Sequence, residues 1–316
     1  MQLITALEPP LSPARVQAPP GPPTRVGLVQ HRWLPDASAL REQLAEGIAL
    51  AAGAGARVVF LPELTLSRYP ADLHPDGDAA ELAEDVADGP TLAFAREAAA
   101  AHEVYVHASL YERAQPDSGE PDGLGYNTAV LVAPDGRLVG RTRKMHIPVT
   151  EGYHENEYFR PGPATDAYAP VQLDELELRL GMPTCWDQWY PEVARLYALG
   201  GAQVLAYPTA IGSEPDHPDF DTEPMWRQAI VGHAIANGLF MVVPNRYGDE
   251  GRITFYGSSF ICDPYGRILV RAPRDSGAVL VADLDLAQRS DWLDLFPFLP
   301  NRRPDSYGGL TEARRP

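Results

Sequence analysis

The pattern of apolar and polar positions sorts this chain into short strands and helices of ordinary length. Leu176 to Leu180 alternates, the mark of a half-buried strand, and runs on into Gly181-Met182-Pro183-Thr184-Cys185-Trp186-Asp187-Gln188-Trp189-Tyr190. Pro191 to Leu199 then reads as a helix, with proline and glutamate in its first turn and Gly200-Gly201 as its stop. Val58 to Leu61 is instead a short, wholly apolar run of the kind buried on both faces of a sheet. Around these runs the pattern predicts a strand over Thr24–Gln30, a helix over Ala37–Ala52 capped by Asp36 or Ser38, and a helix near Thr91–Ala101. A strand over Val104–Leu110 follows, and then a hairpin of Asn127–Val132 and Leu138–Arg143.

The second half repeats this order. After the strand before Cys185 and its helix come a strand over Gln203–Tyr207, a helix near Glu223–Ala236 and a strand over Leu239–Pro244. A hairpin of Ser258–Cys262 and Arg267–Val270 ends the repeat, and its turn, Pro264-Tyr265-Gly266-Arg267-Ile268, matches Pro134-Asp135-Gly136-Arg137-Leu138. Two copies of strand, helix, strand, helix, strand, hairpin imply one α/β domain with internal pseudo-symmetry. The domain is expected over residues 24–286. Residues 1–23, with Pro9-Pro10, Pro19-Pro20 and Pro22-Pro23, read as a disordered or loosely draped arm. Residues 287–316, with Trp292, Phe296, Phe298 and Arg302-Arg303, read as a tail that docks on the body or on another subunit.

Composition narrows the class. With 316 residues, 45% hydrophobic and 22% charged, the chain is large enough for a sizeable core. Its net charge of −17 argues against nucleic acid or an anionic membrane as partner and favours cationic ligands at long range. Two cysteines, Cys185 and Cys262, make no disulfide framework. No run approaches membrane-spanning length and the first residues lack the basic-then-apolar build of a secretory signal, so neither a span nor a signal is expected. A cytoplasmic, reduced protein is expected.

Cys185 falls between a strand end and a helix start. There the helix dipole is expected to favour the thiolate; a buried structural cysteine is the alternative. Glu63 follows the buried strand in Phe60-Leu61-Pro62-Glu63, and Lys144 closes the first hairpin. Thiol, carboxylate and ammonium make a workable acyl-transfer set: base, nucleophile and a cation for the developing oxyanion. A capping carboxylate and a solvated hairpin end are the alternatives for Glu63 and Lys144. No Cys-x-x-Cys, His-Glu-x-x-His or phosphate-binding glycine motif occurs, so neither a metal nor an organic cofactor is expected. His146, His154 and His233 read as structural.

These residues resemble the nitrilase, or carbon–nitrogen hydrolase, superfamily. Pro62-Glu63 with Tyr69 matches its glutamate motif, Arg143-Lys144-Met145-His146-Ile147-Pro148 its lysine motif, and Cys185-Trp186-Asp187 with Pro191-Glu192 its nucleophile motif. Glu155, in Tyr153-His154-Glu155-Asn156-Glu157-Tyr158-Phe159, matches a second family glutamate. The resemblance implies a four-layer α-β-β-α sandwich, a Glu63-Lys144-Cys185 triad with Glu155 positioning Lys144 or the substrate, and a homodimer or larger homo-oligomer. It implies pocket contacts from Tyr69, Trp186, Asp187, Trp189 and Thr209. The runs Cys185–Glu192, Tyr207–Pro215 and Thr254–Phe260 resemble the N-carbamoylputrescine amidohydrolase branch. Relatives acting on carbamoyl amino acids tend to carry arginine just after the cysteine motif, where Gln188 and Trp189 stand here. That favours a neutral or cationic distal group, while Arg68 is expected to put a cation near the site mouth. The expected substrate is thus a small N-carbamoyl amine, with another small amide, a nitrile or a carbamoyl amino acid as the alternative; a non-catalytic binding module is a third reading.

Overall fold

The computed structural model describes residues 1–18, 21–116, 119, 122–165 and 167–312; Pro19, Pro20 and residues 313–316 lie outside them. The first half holds β1 (Gln2–Ala6), β2 (Thr24–Gln30), α1 (Ala37–Gly53), β3 (Val58–Phe60), α2 (Pro90–His102), β4 (Tyr105–Glu112), β5 (Tyr126–Val132) and β6 (Leu138–Arg143). A two-residue-per-strand hairpin, β7 (Val149–Thr150) and β8 (Tyr153–His154), leads on to β9 (Val171–Leu173). The second half holds β10 (Leu178–Gly181), α3 (Pro191–Leu199), β11 (Val204–Ala206), α4 (Glu223–Asn237) and β12 (Phe240–Val243). Next come β13 (Tyr247–Asp249), β14 (Thr254–Tyr256), β15 (Phe260–Cys262), β16 (Ile268–Arg271), β17 (Ala278–Leu284) and α5 (Ala287–Leu295). Asp36 is the cap of α1, accepting from the N–H groups of Ser38 and Ala39, an arrangement worth about 1 kcal/mol.

Two sheets carry the repeat. One runs β1-β17-β2-β3-β4-β5-β6 and the other β16-β15-β12-β11-β10-β9. In each, three parallel strands (β2, β3, β4 or β10, β11, β12) are followed by two antiparallel ones. The halves also exchange an edge: β9 ends the first half but pairs with β10, whereas β17 ends the second and pairs with β2.

Side-chain alternation builds the layers. Val26, Leu28, Val58 and Phe60 point between the sheets, where they meet Leu180, Val204, Phe240 and Ile261. Val29 and Val59, one position over, face Leu40, Leu44, Ile48 and Leu92 of α1 and α2. On the far side, α3 and α4 cover the second sheet through Tyr197, Trp226 and Ile230. The order is therefore α-β-β-α, with the central strands β3, β4, β11 and β12 buried on both faces. Gly181 at the end of β10 is required by this packing: a Cβ there would lie 2.3 Å from Leu205 and 2.6 Å from Tyr197.

The N-terminal reading needs correction. Gln2–Ala6 is a strand, paired in parallel with β17, because an open sheet edge offers backbone donors and acceptors to a short segment ahead of the prolines. The described residues beyond it are tied down as well: Arg15 pairs with Asp285 and Asp291, and Gln288 donates to the carbonyl of Pro10. In the tail, Arg289 donates to the carbonyls of Ala198 and Ala202, and Trp292 to that of Ile235. No helix among the described residues is long and apolar enough to cross a membrane.

Candidate active site

Glu63, Lys144, Glu155 and Cys185 come from four separate segments and meet in a buried cluster. Glu63 stands just past β3, held by its own loop: Thr65 donates to the carbonyl of Pro62, and Arg246 donates to the carbonyls of Glu63 and Leu64 at 2.7 and 3.0 Å. Leu64 adopts φ 48°, a left-handed conformation that costs a non-glycine residue of order 1 kcal/mol and turns the chain sharply behind the carboxylate. Lys144 is the residue after β6; its N–H donates to the carbonyl of Asn127 and its carbonyl accepts from Gly162. Glu155 opens a single 3-10 turn, Glu155–Glu157, directly after β8.

Cys185 opens another 3-10 turn, Cys185–Trp189, rather than the helix α3 itself. Its φ of 36° is again left-handed, its N–H donates to the carbonyl of Pro208 at 3.0 Å, and its Sγ lies 4.0 Å from the carbonyl oxygen of Ala210. The N–H of Thr184 donates to Asp187 Oδ2, which closes the turn from below.

The polar geometry centres on the ammonium. Lys144 Nζ donates to Glu63 Oε1 at 2.9 Å and to the two oxygens of Glu155 at 2.8 and 2.6 Å. Asn127 Nδ2 also donates to Glu63 Oε1, at 2.8 Å, and the Tyr69 hydroxyl donates to Glu155 Oε1 at 2.9 Å. Glu63 Oε2 is buried and has no hydrogen-bond partner. That oxygen is available for a proton, while Oε1 is committed.

Burial sets the protonation states. Burial works against the Lys144 ammonium, but Glu155, Glu63 and Cys185 outweigh it and hold its pKa above the usual lysine range. Burial lifts the Glu155 carboxyl to about 7, with Lys144 opposing and Glu63 reinforcing. Burial, and then the Glu63 charge, push the Cys185 thiol well above its ordinary value, against a smaller opposite pull from Lys144. The expectation of a dipole-favoured thiolate is thus corrected: a short 3-10 turn offers little dipole, and desolvation of the anion wins.

A cavity of about 210 Å³ opens above Cys185, with walls from Trp186, Trp189, Phe220 and Met225. Glu155 and Glu214 are the charged residues among the described lining. A larger cleft of about 810 Å³ adjoins it through Phe220 and Thr222 but holds none of the buried cluster, so the chemistry belongs to the smaller cavity.

Three expected pocket contacts are placed elsewhere. Asp187 is buried against the N–H groups of Thr184 and His146, and Thr209 donates to the carbonyl of Tyr207; both hold the loop rather than line the cavity. Tyr69 turns its hydroxyl to Glu155. Arg68 puts no free cation at the mouth, because it is paired with Asp72 and donates to the carbonyl of Glu250. Gln188 is buried, accepting from Trp226 at 2.8 Å. Two members of the site were missed as contributors, Asn127 and Arg246. Asn127 carried a signal, a lone amide at the start of a strand that is otherwise mostly apolar. Arg246 stands in a family-like pair, Asn245-Arg246, but its role was not visible there, since its burial depends on Glu250 and the Glu63 loop.

The profile of the family described as carbon-nitrogen hydrolase matches residues 25–293. The chain belongs to that family. Among curated carbon–nitrogen hydrolase relatives, a citrullinase of Francisella tularensis is 34% identical over 90% of this chain and 96% of its own. An N-carbamoylputrescine amidase of Arabidopsis thaliana is 36% identical over 80% and 83%. A solved carbon-nitrogen hydrolase of Helicobacter pylori superposes with a TM-score of 0.80 at 32% identity, covering 91% of this chain and 98% of that one. An amidase of Nesterenkonia sp., at 24% identity and a TM-score of 0.72, shares the fold. The carbon–nitrogen hydrolase fold expected from the motifs is the one observed, and the chain is a hydrolase of carbon–nitrogen bonds.

Proposed function

We propose that this enzyme hydrolyses a small N-carbamoyl amine, with N-carbamoylputrescine as the best-matched substrate. The carrying observation is the charge of the Cys185 cavity: Glu214 stands in its wall, and the described lining offers no lysine, arginine or histidine. A distal ammonium would pair with Glu214; citrulline offers such an ammonium too but adds a carboxylate beside it, for which the described lining holds no cationic partner. The volume supports a small ligand, being below the roughly 300–1,000 Å³ of drug-sized pockets. The amidase and citrullinase relatives lie at similar identity, so the proposed preference rests on the charge of the cavity and not on the likeness.

In the mechanism we infer, Glu63 Oε2 takes the thiol proton as Cys185 Sγ attacks the carbamoyl carbon. Moving that proton from thiol to carboxylate leaves the cluster's total charge unchanged, so no further charge is buried. The Lys144 ammonium and the N–H of Trp186, in the first turn after Cys185, stabilise the oxyanion. Glu63 then returns the proton to the leaving nitrogen and activates water against the thioester, releasing amine, ammonia and carbon dioxide overall. Glu155 holds Lys144 throughout. Ammonia release from N-carbamoylputrescine, citrulline, simple amides and nitriles tests this reading. The carbamoyl amine is expected to give the highest kcat/KM, at least tenfold above citrulline; preference for citrulline would overturn it. A homo-oligomer remains part of the proposal, read out by light scattering.

A further inference from the structure

Outside the Cys185 cluster, one group of side chains has the composition of a metal site. His74 lies two residues past the 3-10 turn Pro70–Asp72, His154 ends β8, and Glu157 ends the turn that Glu155 opens. His74 Nδ1 is 2.9 and 3.1 Å from the two oxygens of Glu157. The His74 and His154 rings stack with centroids 4.0 Å apart and planes 28° from parallel. One donor atom from each of the three residues lies within 4.8 Å of the others.

A second observation points to a ligand. His154 is only 9% exposed, and its Nε2 is buried without a hydrogen-bond partner. His31 Nε2 and both nitrogens of His107 are also buried and unpaired. Of these histidines, His154 is the one grouped with other possible metal ligands among the described residues, where a bound cation is one way to satisfy it. His74, by contrast, is two-thirds exposed, with 66% of its side chain accessible, so an ion has an open route and a fourth position for water.

We propose that His74, His154 and Glu157 bind a borderline transition-metal dication of the zinc type. Two imidazoles and one carboxylate suit such an ion, whereas magnesium and calcium prefer all-oxygen shells. Tetrahedral bonds of about 2.0–2.1 Å need donors roughly 3.4 Å apart, so the three atoms must close by at most about 1.4 Å. The exposed His74 side chain can make that movement by rotation. The three ligands are far apart in sequence or flank a catalytic motif, which is why no ligand spacing is visible in the chain itself.

The site would brace the active site without entering it. The loop that carries Glu63 and Tyr69 already meets the Glu155 turn through Tyr69 and Glu155 and through the Tyr158 hydroxyl on the carbonyl of Leu73. An ion held by His74, His154 and Glu157 would replace the present His74–Glu157 contact with a stronger tie between the same two segments, one residue from the carboxylate that holds Lys144.

Calorimetric titration of chelator-treated enzyme with Zn²⁺ tests the proposal, because Cys185 offers a competing thiol. Wild type and Cys185→Ala are expected to keep the site, while His74→Ala and Glu157→Gln weaken it at least tenfold. Excess Zn²⁺ is expected to raise the Tm of Cys185→Ala by a few degrees, and that of the Cys185→Ala, His74→Ala double variant not at all. With Co²⁺ as probe, the bound ion should lack the intense ultraviolet band of a thiolate ligand. Binding unchanged in His74→Ala, or lost in Cys185→Ala, would overturn the assignment, as would a thiolate band.

Discussion

The two cysteines of this chain are both buried, and burial raises the pKa of both thiols. What differs is what surrounds them. Cys262 lies in β15, in strand backbone without the left-handed φ of Cys185, among the apolar residues under α4, and its charged neighbour, Asp263, only disfavours the thiolate further. Cys185 sits in strained backbone at the floor of a cavity, beside an uncommitted carboxylate oxygen and an ammonium. The comparison separates two ideas that a cysteine motif tends to merge. A nucleophilic cysteine need not rest as a thiolate; it needs a base to take its proton and a cation to receive the charge that follows. In this cluster burial and the two carboxylates keep the resting thiol protonated, against the pull of Lys144, while Glu63 supplies the base and Lys144 the cation.

The largest effect expected is therefore at Cys185 itself. Cys185→Ala should lower kcat/KM by more than about 10⁴-fold, since removing a nucleophile leaves only binding and oxyanion stabilisation. Glu63→Gln keeps the volume and the bonds from Lys144 and Asn127 within reach but cannot accept the thiol proton. A loss of roughly 10³-fold in kcat is expected, within the range of general-base removal, with KM changed little. Should Glu63→Gln act at near wild-type rate, the thiol would need another base and the contrast with Cys262 would lose its main term.

Glu155 sharpens the comparison through pH. Its carboxyl titrates at about 7 because burial disfavours the charge, and only the carboxylate holds Lys144 fully. Activity is expected to rise as pH rises through that value, and Glu155→Gln should lose about 10²-fold while flattening the rise. The stability effect has the opposite sign. A carboxyl raised from an ordinary 4.5 to about 7 binds a proton in the folded state that the unfolded chain has released. Its contribution is full below pH 4.5 and is lost as pH climbs through 7. Thermal denaturation across pH 5 to 8 should show the wild type losing part of an acid-side advantage that the glutamine variant lacks.

The site was legible in sequence to the extent that strand ends announce themselves. Glu63, Lys144 and Cys185 each follow a run whose alternation or apolarity marks it as a strand, and open α/β sheets collect their chemistry at such ends. Their protonation was not legible. A strand-turn-helix pattern suggests a dipole, but whether the turn is a full helix or a 3-10 turn, and how much water remains, depend on packing from distant segments. The repeat also misled at the edges. Two matched halves leave no role for Ala278–Leu284, an evident apolar run, because its partner is Thr24–Gln30 in the other half and pairing across such a distance has no local signal. Gln2–Ala6 was lost for the same reason, overshadowed by the prolines that follow it.

Glu214 is where the substrate reading meets a smaller number. It is half-buried, accepts from Thr222 and has its pKa raised by burial, so a bound ammonium would stabilise its charge. Glu214→Gln should raise KM for a cationic carbamoyl amine about tenfold, as expected for one partly exposed charged hydrogen bond, with kcat nearly unchanged. A neutral amide should be turned over by this variant as by the wild type.

Cys262→Ala carries the smallest expected effect and is the control on which the comparison rests. The thiol is fully buried with apolar neighbours, so its loss removes packing and leaves a small void, at a cost below the 2–5 kcal/mol of larger truncations to alanine and nearer about 1 kcal/mol. Tm should fall by a few degrees while kcat/KM stays within about twofold of wild type. If instead both cysteine variants lost activity equally, burial with or without a base would have made no difference, and the Tm would decide the cause. Equal loss with equal destabilisation would point to folding. Equal loss with intact Tm would reject the nucleophile.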